Sequence, residues 1–412
     1  MSAEVTIACY TCPLWHRSAL FDKQYAPEWT EYVLMTGARP WFQGHHQPRQ
    51  PLLGALDERD PATWSRYIDL ATTHGIDVLI WDWYWYDDEP ALHEALEDGF
   101  LRATNLHEIR FALMWTNSDW QYLFPTVHGD GTRSFAHARS APERPEDVRR
   151  SISYVISRYF HFPNYWRIDG EPVLVVYDAP RLRSAFGVEG VRAMLDEFRA
   201  HACALGHEGI HFHADCVLPV ALGPGPPAQA VGDLAALGFD SYGLYNPIVI
   251  AGIRRPLEEE LPRYDALVQD VITVIWPEVD EISPLPFFPA VSPGWDNTPR
   301  HNELPRISSG NRNEWPGALI VVDETPGSFE QLVRSARSFV EERPGPNVVT
   351  IGCWNEWTEG QYLLPDTRLG FGMLEALARA VGRDTGAVTY ASPGGDHWEP
   401  GSGPKLTPGG ER

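Results

Sequence analysis

Apolar segments alternate with amphipathic helical segments along the chain, and this alternation constrains the fold more than any other feature. Short apolar runs predict eight strands, at residues 5–10, 76–82, 109–115, 172–177, 209–214, 239–245, 286–291 and 348–354. Helical patterns lie between and after them, at residues 60–75, 90–103, 146–159, 188–205, 229–237, 257–275, 328–342 and 372–381. Repeated βα units of this number predict a (β/α)8 barrel, because parallel strands need crossover connections.

A doubly wound open sheet is the alternative fold. Its glycine-rich dinucleotide fingerprint is missing after the first strand, where Tyr10-Thr11-Cys12-Pro13 stands instead. The chain of 412 residues has the length of two or three domains, yet we expect one enlarged barrel over residues 1–385. Residues 386–412 are rich in Gly and Pro with little to bury, which predicts a disordered tail.

The net charge of -23 excludes several classes of partner. A negative field of this size repels phosphate backbones and anionic lipids, so we expect neither nucleic acid nor a membrane surface as a partner. No apolar stretch reaches the roughly 20 residues of a membrane span. The N-terminus has the pattern of a strand and not of a signal peptide, so we expect a cytoplasmic protein. The oligomeric state stays open.

Cysteine and histidine positions give no sign of a metal or redox centre. Cys9 and Cys12 have C-x-x-C spacing, but no second pair stands at zinc-site spacing, so we interpret both as buried thiols. His211 and His213 share one face of a predicted strand without a carboxylate at close spacing. We expect no metal and no cofactor.

Aromatic rings stand beside carboxylates and amides at nearly every predicted strand end. In a barrel these ends form the functional face. Sugars need both kinds of group, because their C–H faces stack on rings and their hydroxyls need fixed donors and acceptors. For any single ring, core packing is the simpler interpretation; the whole set favours an oligosaccharide or polysaccharide substrate. The candidate binding residues from this pattern are Tyr10, His16, Asp82, Tyr84, Trp85, Trp115, Asn117, Tyr245, Trp295, Asp296, Asn297, Trp354, Asn355 and Trp357.

Two glutamates form the sharpest signal, in Trp354-Asn355-Glu356-Trp357-Thr358-Glu359-Gly360. Carboxyls three positions apart lie on one side of a helical turn, with Cβ atoms roughly 5–6 Å apart. A retaining glycosidase needs its two carboxyls about 5–5.5 Å apart. Like charges this close push their pKa values apart, which leaves one acid and one base. A solvated pair at a helix start is the alternative, and the flanking indoles favour the catalytic interpretation.

The motif Trp-Asn-Glu-Trp-x-Glu-Gly resembles the signature of endo-α-mannanases and endo-α-mannosidases of glycoside hydrolase family ninety-nine. It is even more similar to WbsX-like proteins of polysaccharide gene clusters, some of which are labelled glycosyltransferases. The resemblance covers about residues 5 to 382. Further matching segments are Pro27-Glu28-Trp29-Thr30, Gly44-His45-His46-Gln47-Pro48-Arg49, Trp115-Thr116-Asn117-Ser118-Asp119-Trp120, Arg167-Ile168-Asp169-Gly170-Glu171-Pro172 and Gly294-Trp295-Asp296-Asn297-Thr298.

The resemblance implies a (β/α)8 barrel that cleaves α-linked glycans, such as α-mannosides, with retention. It implies that Glu356 acts as a base on the sugar 2-hydroxyl, which attacks C1 to give a 1,2-anhydro sugar. Glu359 would then be the general acid and afterwards the base. The matching segments add Glu28 and His46 to the candidate sugar-binding residues.

Two other functions stay open at this point. A glycosyltransferase would need a site for a sugar-nucleotide diphosphate, usually basic or metal-assisted, and the sequence shows neither. A non-catalytic glycan-binding barrel would use the aromatic rings for binding, and its glutamates would only accept hydrogen bonds.

Overall fold

The computed structural model describes residues 4–123, 126–127, 133–134, 137–215, 233–255, 261–282, 284–301 and 319–385. The predicted tail, residues 386–412, lies outside this set, and the one-domain organisation stays a prediction. None of the helices within these ranges combines the length and the apolar character needed to cross a bilayer.

Parallel strands form a nearly closed barrel, which confirms the predicted fold class. Within the described ranges its nine strand segments are β1 (Thr6–Thr11), β2 (Val78–Tyr86), β3 (Arg110–Trp115), β4 (Glu171–Val176), β5 (His211–Asp215), β6 (Ser241–Gly243), β7 (Phe287–Phe288), β8 (Ala290–Val291) and β9 (Val348–Ile351). Neighbours pair in chain order from β1 to β7, and β8 pairs with β9, which pairs with β1. The seventh predicted strand is thus split at Pro289, and its two halves pair with different neighbours.

Helices connect the strands. Their bounds are α1 (Ala19–Gln24), α2 (Tyr32–Gly37), α3 (Pro61–Thr73), α4 (Pro145–Tyr159), α5 (Ala179–Ala204), α6 (Leu234–Leu237), α7 (Pro247–Arg254), α8 (Tyr264–Asp270), α9 (Trp276–Asp280), α10 (Pro326–Glu341) and α11 (Gly372–Val381). The predicted start of α3 is confirmed: the Asp60 side chain caps it by accepting from Ala62 N, and Pro61 fills its first position.

Short turns and hairpins complete the described structure. The 3₁₀ and π turns are Ala95–Gly99, Phe100–Arg102, Leu106–Glu108, Val271–Ile275, Thr298–His301 and Trp357–Glu359. The small strands are Glu89–Ala91, Trp120–Gln121, Thr126–Val127, Arg133–Ser134, His137–Arg139, Arg167–Ile168, Asn355–Glu356 and Gln361–Tyr362. The helix predicted over residues 90–103 is confirmed only over residues 95–102, as a π-helix followed by a 3₁₀ helix, because Glu89–Ala91 pairs with β2 as a strand.

Strand β2 separates the barrel interior from the outer core. Successive side chains of a strand point to opposite faces, and the outer face of β2 carries indoles: Trp81 packs on Trp64, and Trp83 and Trp85 pack on Tyr154 of α4. The opposite face carries Asp82 and Tyr84. This alternation places a carboxyl group and a phenol inside the barrel near its carboxyl end.

Candidate active site

The two motif glutamates flank a tight turn that follows strand β9. Glu356 belongs to a short strand paired with Gln361–Tyr362, and Glu359 ends the 3₁₀ turn between them. Both carboxyls contact the guanidinium of Arg300, so they lie on the same side of the turn. Gly360 has φ 65° and packs so tightly that an added Cβ would lie 2.7 Å from Asp296 N, so this position requires glycine.

One guanidinium contacts both glutamates. Arg300 Nη2 donates to Glu356 Oε1 at 2.8 Å, and its Nη1 donates to Glu359 Oε1 at 2.5 Å. The same Nη2 also donates to Glu31 Oε1 at 3.0 Å. The side chains of Glu31, Glu356 and Glu359 are only 0%, 2% and 12% exposed, so three carboxyls share one cation with little water.

Burial and mutual repulsion favour the protonated forms of this pair. Burial raises the pKa of Glu356 well above its ordinary value, and the charge of Glu31 raises it further. Burial also raises the pKa of Glu359, but there the charge of Arg300 is the next largest influence and opposes the rise. The two carboxyls are therefore chemically unequal.

A fourth acid, Asp82, faces the pair from strand β2. Its Oδ2 accepts from Cys12 Sγ at 3.3 Å and from the Tyr84 hydroxyl at 3.5 Å. Its buried Oδ1 has no hydrogen-bond partner within the described part of the chain. Burial, followed by the nearby charges of Glu359 and Asp215, raises the pKa of Asp82 to about 8. The free oxygen is available to a ligand.

Phenols surround these acids inside the barrel. The Tyr245 ring centre lies 5.1 Å from that of Tyr10 and 5.9 Å from that of Tyr177. Burial is the main reason that the pKa of Tyr10 and that of Tyr245 are raised, and the charge of Asp82 adds to both. These phenols therefore stay protonated at neutral pH and offer hydroxyl donors beside the carboxyls.

Asp296 forms a second carboxylate centre, next to residues Glu356–Glu359, which we call the glutamate turn. Its Oδ2 accepts from His45 Nε2 at 2.9 Å and from Gln47 Nε2 at 2.6 Å, and its Oδ1 accepts from Thr298 Oγ1 at 2.7 Å. Although burial opposes the change, the hydrogen bond from His45 and the charge of Arg49 lower the pKa of Asp296 to about 2. Its oxygens are already used by the protein.

The predicted amide ligands also bind protein groups. Asn355 Nδ2 donates to Cys12 O and to Glu58 Oε1, both at 2.8 Å, and its Oδ1 accepts from Cys12 N. Asn117 exchanges two hydrogen bonds with the backbone of Asp178. Asn297 Oδ1 accepts from Leu319 N at 3.1 Å. These amides tie neighbouring strand ends together.

The structure places most of the predicted indoles in the core. Trp354 is fully buried and meets Tyr67 of α3 edge-on, with ring centres 5.9 Å apart. Trp357 is 1% exposed and stacks on Tyr362 at 3.9 Å. Trp115 and Trp295 are likewise buried. Trp354 therefore packs between the barrel and α3, and Trp357 packs within its own hairpin.

Four predicted residues lie apart from the contacts around the pair. His16 is buried and its Nε2 lies 3.3 Å from Glu94 Oε2. Glu28 is 70% exposed and accepts from Arg17. His46 is partly buried, and burial lowers its pKa. Trp85 lines a surface depression of about 410 Å³ that opens beside α4.

Sequence reasoning missed Glu31 and Arg300. Glu31 lies 269 residues before Arg300 in the chain, and neither stands in a motif that the strand-end pattern selected. Glu31 directly follows the matching segment Pro27–Thr30, which was the nearest available signal.

Histidine and carboxyl groups also meet at the opposite, amino-terminal end of the barrel. Possible ligand atoms of Glu171, His211 and Asp240 lie within 4.8 Å of one another. Asp240 is held by Arg199 at 2.7 Å, and the Ser241 hydroxyl lies between His211 and His213. These contacts are consistent with hydrogen-bonded structural histidines.

The fold and the site together define a (β/α)8 barrel with a paired-carboxylate centre at the carboxyl ends of its strands. The family model described as Glycosyltransferase WbsX matches residues 6–377. The chain belongs to this WbsX family.

Known proteins resemble the chain in sequence and in fold. The "Uncharacterized protein WxcX" of Xanthomonas campestris pv. campestris is 28% identical over 391 residues, which cover 93% of this chain and 50% of that protein. The chain therefore spans about half the length of the curated relatives it matches.

Two solved structures share the barrel. A "Glycoside hydrolase-like protein" has a TM-score of 0.57 at 11% identity and covers 92% of this chain and 95% of its own. The GH99 endo-alpha-mannosidase from Bacteroides thetaiotaomicron has a TM-score of 0.50 at 14% identity, and the match covers 91% of this chain and 95% of that enzyme's chain. At these identities the likeness shows the fold alone.

Proposed function

We propose that the protein is a glycoside hydrolase that cleaves α-linked glycans with retention, an α-mannoside or a related sugar being the substrate. One observation carries the proposal: Glu356 and Glu359 are buried side by side and contact one guanidinium at the carboxyl ends of the strands. Two adjacent carboxyls in unequal surroundings are what acid–base cleavage of a glycosidic bond requires.

The proposed reaction has two steps. Glu356 takes the proton from the sugar 2-hydroxyl, O2 attacks C1 to form a 1,2-anhydro sugar, and Glu359 protonates the departing glycosidic oxygen. Glu359 then takes a proton from water as the water attacks C1, and Glu356 returns its proton to O2 as the anhydro ring opens. Two inversions at C1 give net retention, and both glutamates regain their starting states.

The groups around the pair suit a neutral polyol. Asp82 offers a buried oxygen without a partner among the described residues, and the phenol of Tyr245 lies beside it, while the Tyr84 hydroxyl donates to Asp82 itself. Hydroxyl and carboxyl groups at this buried position would bind the hydroxyls of one sugar ring. The α-mannoside preference rests on the family resemblance and on the name of the structural neighbour from Bacteroides thetaiotaomicron.

Glycosyl transfer is the second candidate, because the family model carries a glycosyltransferase description. A transferase that uses a sugar nucleotide must neutralise a diphosphate. Arg300, the cation that contacts the pair in the described structure, is already bound by three carboxyls. A phosphate group would also be repelled by these carboxyls, so the site favours hydrolysis.

The test compares two substrate panels by mass spectrometry. Wild-type protein, Glu356→Gln and Glu359→Gln are incubated with α-linked oligosaccharides and, separately, with sugar nucleotides and acceptors. We expect shortened oligosaccharides from wild type only. Consumption of sugar nucleotides alone would establish the transferase. If the protein binds a glycan but converts no compound of either panel, a non-catalytic barrel would be supported. Glu330→Gln, on the outer helix α10, is the matched control.

A further inference from the structure

Arg300 distributes its donors unequally between the two glutamates. Its Nη1 donates to Glu359. Its Nη2 is shared, because it donates both to Glu356 at 2.8 Å and to Glu31 at 3.0 Å. Glu359 thus has a guanidinium nitrogen to itself, whereas Glu356 shares one with another carboxyl.

The protein itself holds the guanidinium in this position. Arg300 Nε donates to Thr358 Oγ1 at 3.0 Å, and the Thr358 hydroxyl donates in turn to Glu31. Arg300 also belongs to the 3₁₀ turn Thr298–His301, whose first residue is bonded to the Asp296 carboxylate. The arrangement therefore exists before any substrate binds.

We propose that Arg300, held by Glu31, is a positioning residue that makes the two glutamates unequal in the unliganded site, with Glu359 as the carboxylate and the proton on Glu356. Three carboxyls that face one cation in a buried site do not all ionise, because like charges at this distance repel strongly. Glu359 has the larger share of the cation, and Glu356 faces Glu31 across the shared nitrogen. The proton accordingly stays on Glu356.

Other titratable groups face the pair, and their effects differ: the hydrogen bond from Cys12 lowers the pKa of Glu356, against the larger effects of burial and of Glu31. Cys12 at the end of β1 faces Glu356, and Asp82 of β2 and Tyr177 after β4 face Glu359. Asp82 is itself an acid with a raised pKa, so it adds little charge near neutral pH. The raised pKa of Glu356 and the opposing effect of Arg300 on Glu359 agree with the geometric argument.

The consequence for the reaction rests on the proposed function. The first step needs a proton on Glu359 and none on Glu356, the reverse of the unliganded arrangement. A substrate must therefore loosen the contact between Arg300 and Glu359, while one proton passes from Glu356 to Glu359 within the site. No proton is exchanged with solvent in this transfer. A ligand that leaves the contact between Arg300 and Glu359 intact also leaves Glu359 unprotonated, so the general acid does not form.

Titration of the unliganded protein tests this inference without any turnover. Glutamate labelled with ¹³C at the carboxyl carbon is followed by NMR against pH, and the two resonances are assigned by their loss in Glu356→Gln and Glu359→Gln. We expect Glu359 to titrate at lower pH than Glu356. Arg300→Met should move the Glu359 titration upward, and Glu31→Gln should move the Glu356 titration downward.

Each outcome decides the matter. Arg334→Met, which removes an exposed arginine paired with Glu330, is the matched control and should move neither titration. Glu31→Gln keeps the inference testable if Arg300→Met does not fold. Glu359 titrating above Glu356, or no shift in either variant, overturns the inference. If the titrations follow the expected order but no glycoside is cleaved, the proposed function fails and the role of Arg300 stands.

Discussion

Two buried carboxylate centres lie side by side in this barrel, and their surroundings shift the carboxyl pKa values in opposite directions. Asp296 receives hydrogen bonds from His45, Gln47 and Thr298, and its pKa falls to about 2. The glutamate turn is directly attached to it, since Asp296 N donates to Glu359 O at 2.6 Å. There, three carboxyls share Arg300, and the pKa of both motif glutamates is raised.

This difference distinguishes a carboxylate that stabilises the structure from carboxyls that can exchange a proton with a ligand. A carboxylate whose acceptor sites are filled by protein donors fixes the backbone and has nothing left for a ligand. Carboxyls that are buried with too few cations keep a proton close to neutral pH, which is the condition for acid–base work. The Asp296 centre therefore positions the turn, and the motif glutamates keep the protonatable carboxyls that the proposed chemistry needs.

Removal of either motif glutamate should have the largest effect on activity. In Glu359→Gln and Glu356→Gln we expect glycoside cleavage to fall about 10²–10⁴-fold, the usual contribution of a positioned proton donor or acceptor. Stability should be unchanged or higher in Glu356→Gln, which replaces a protonated carboxyl that faces Glu31, but lower in Glu359→Gln, which removes the carboxylate paired with Arg300. Steady-state kinetics and thermal melting measure both. A variant that retains wild-type turnover would contradict the pair's role.

The opposite result is expected at the structural centre. Asp296→Asn removes the charge that Arg49 and His45 share, and breaking a buried pair costs about 3–5 kcal/mol. Urea unfolding at neutral pH measures this loss. The matched control is Asp265→Asn, at an exposed aspartate, which should stay within about 0.5 kcal/mol of wild type.

The pH dependence of the Asp296 contribution has a defined sign. Its folded pKa of about 2 lies below the ordinary value of 3.8, so the unfolded state binds its proton first as the pH falls. The contribution is complete above about pH 4 and is lost as the pH falls toward 2. If the difference in free energy of unfolding between wild type and Asp296→Asn grew as the pH fell, this account would be contradicted.

Asp82 should show the reverse dependence on pH. Its folded pKa of about 8 lies above the ordinary 3.8, so the folded state retains a proton that the unfolded state has lost. Wild-type stability should therefore fall as the pH rises from about 4 to about 8. Asp82→Asn should reduce this fall, as measured by urea unfolding at several pH values. An unchanged slope would show that Asp82 ionises normally.

Glu28→Gln should have the smallest effect. Glu28 is exposed and its partner Arg17 is half exposed, and surface ion pairs contribute only about 0–1 kcal/mol. We expect neither cleavage nor the urea midpoint to change measurably. A large loss of activity would instead place Glu28 at the substrate.

Much of the fold could be predicted from the sequence, because buried parallel strands are continuous apolar runs that local patterns reveal. The glutamate pair was also visible, since its two members lie three residues apart. Arg300 and Glu31 were not, because they meet the pair only through tertiary packing over long sequence separations. Local spacing carries no signal for such contacts.

Residue type alone does not show which way a side chain points, as the tryptophans illustrate. Their position after strands indicated sugar contacts, yet Trp354 and Trp357 are buried among other rings. Strand alternation held the missing information: along β2, Asp82 and Tyr84 share one face and the indoles share the other. On this strand the indoles pack outside the barrel wall, and Tyr84 accompanies Asp82 inside.

The most direct test of the central claim is proton NMR of the first-formed product anomer from an α-linked oligosaccharide. Cleavage by Glu356 and Glu359 through a 1,2-anhydro sugar predicts that the α anomer appears first and then equilibrates by mutarotation. Glu359→Gln should abolish this early signal. First appearance of the β anomer, or an undiminished signal in the variant, would contradict the account.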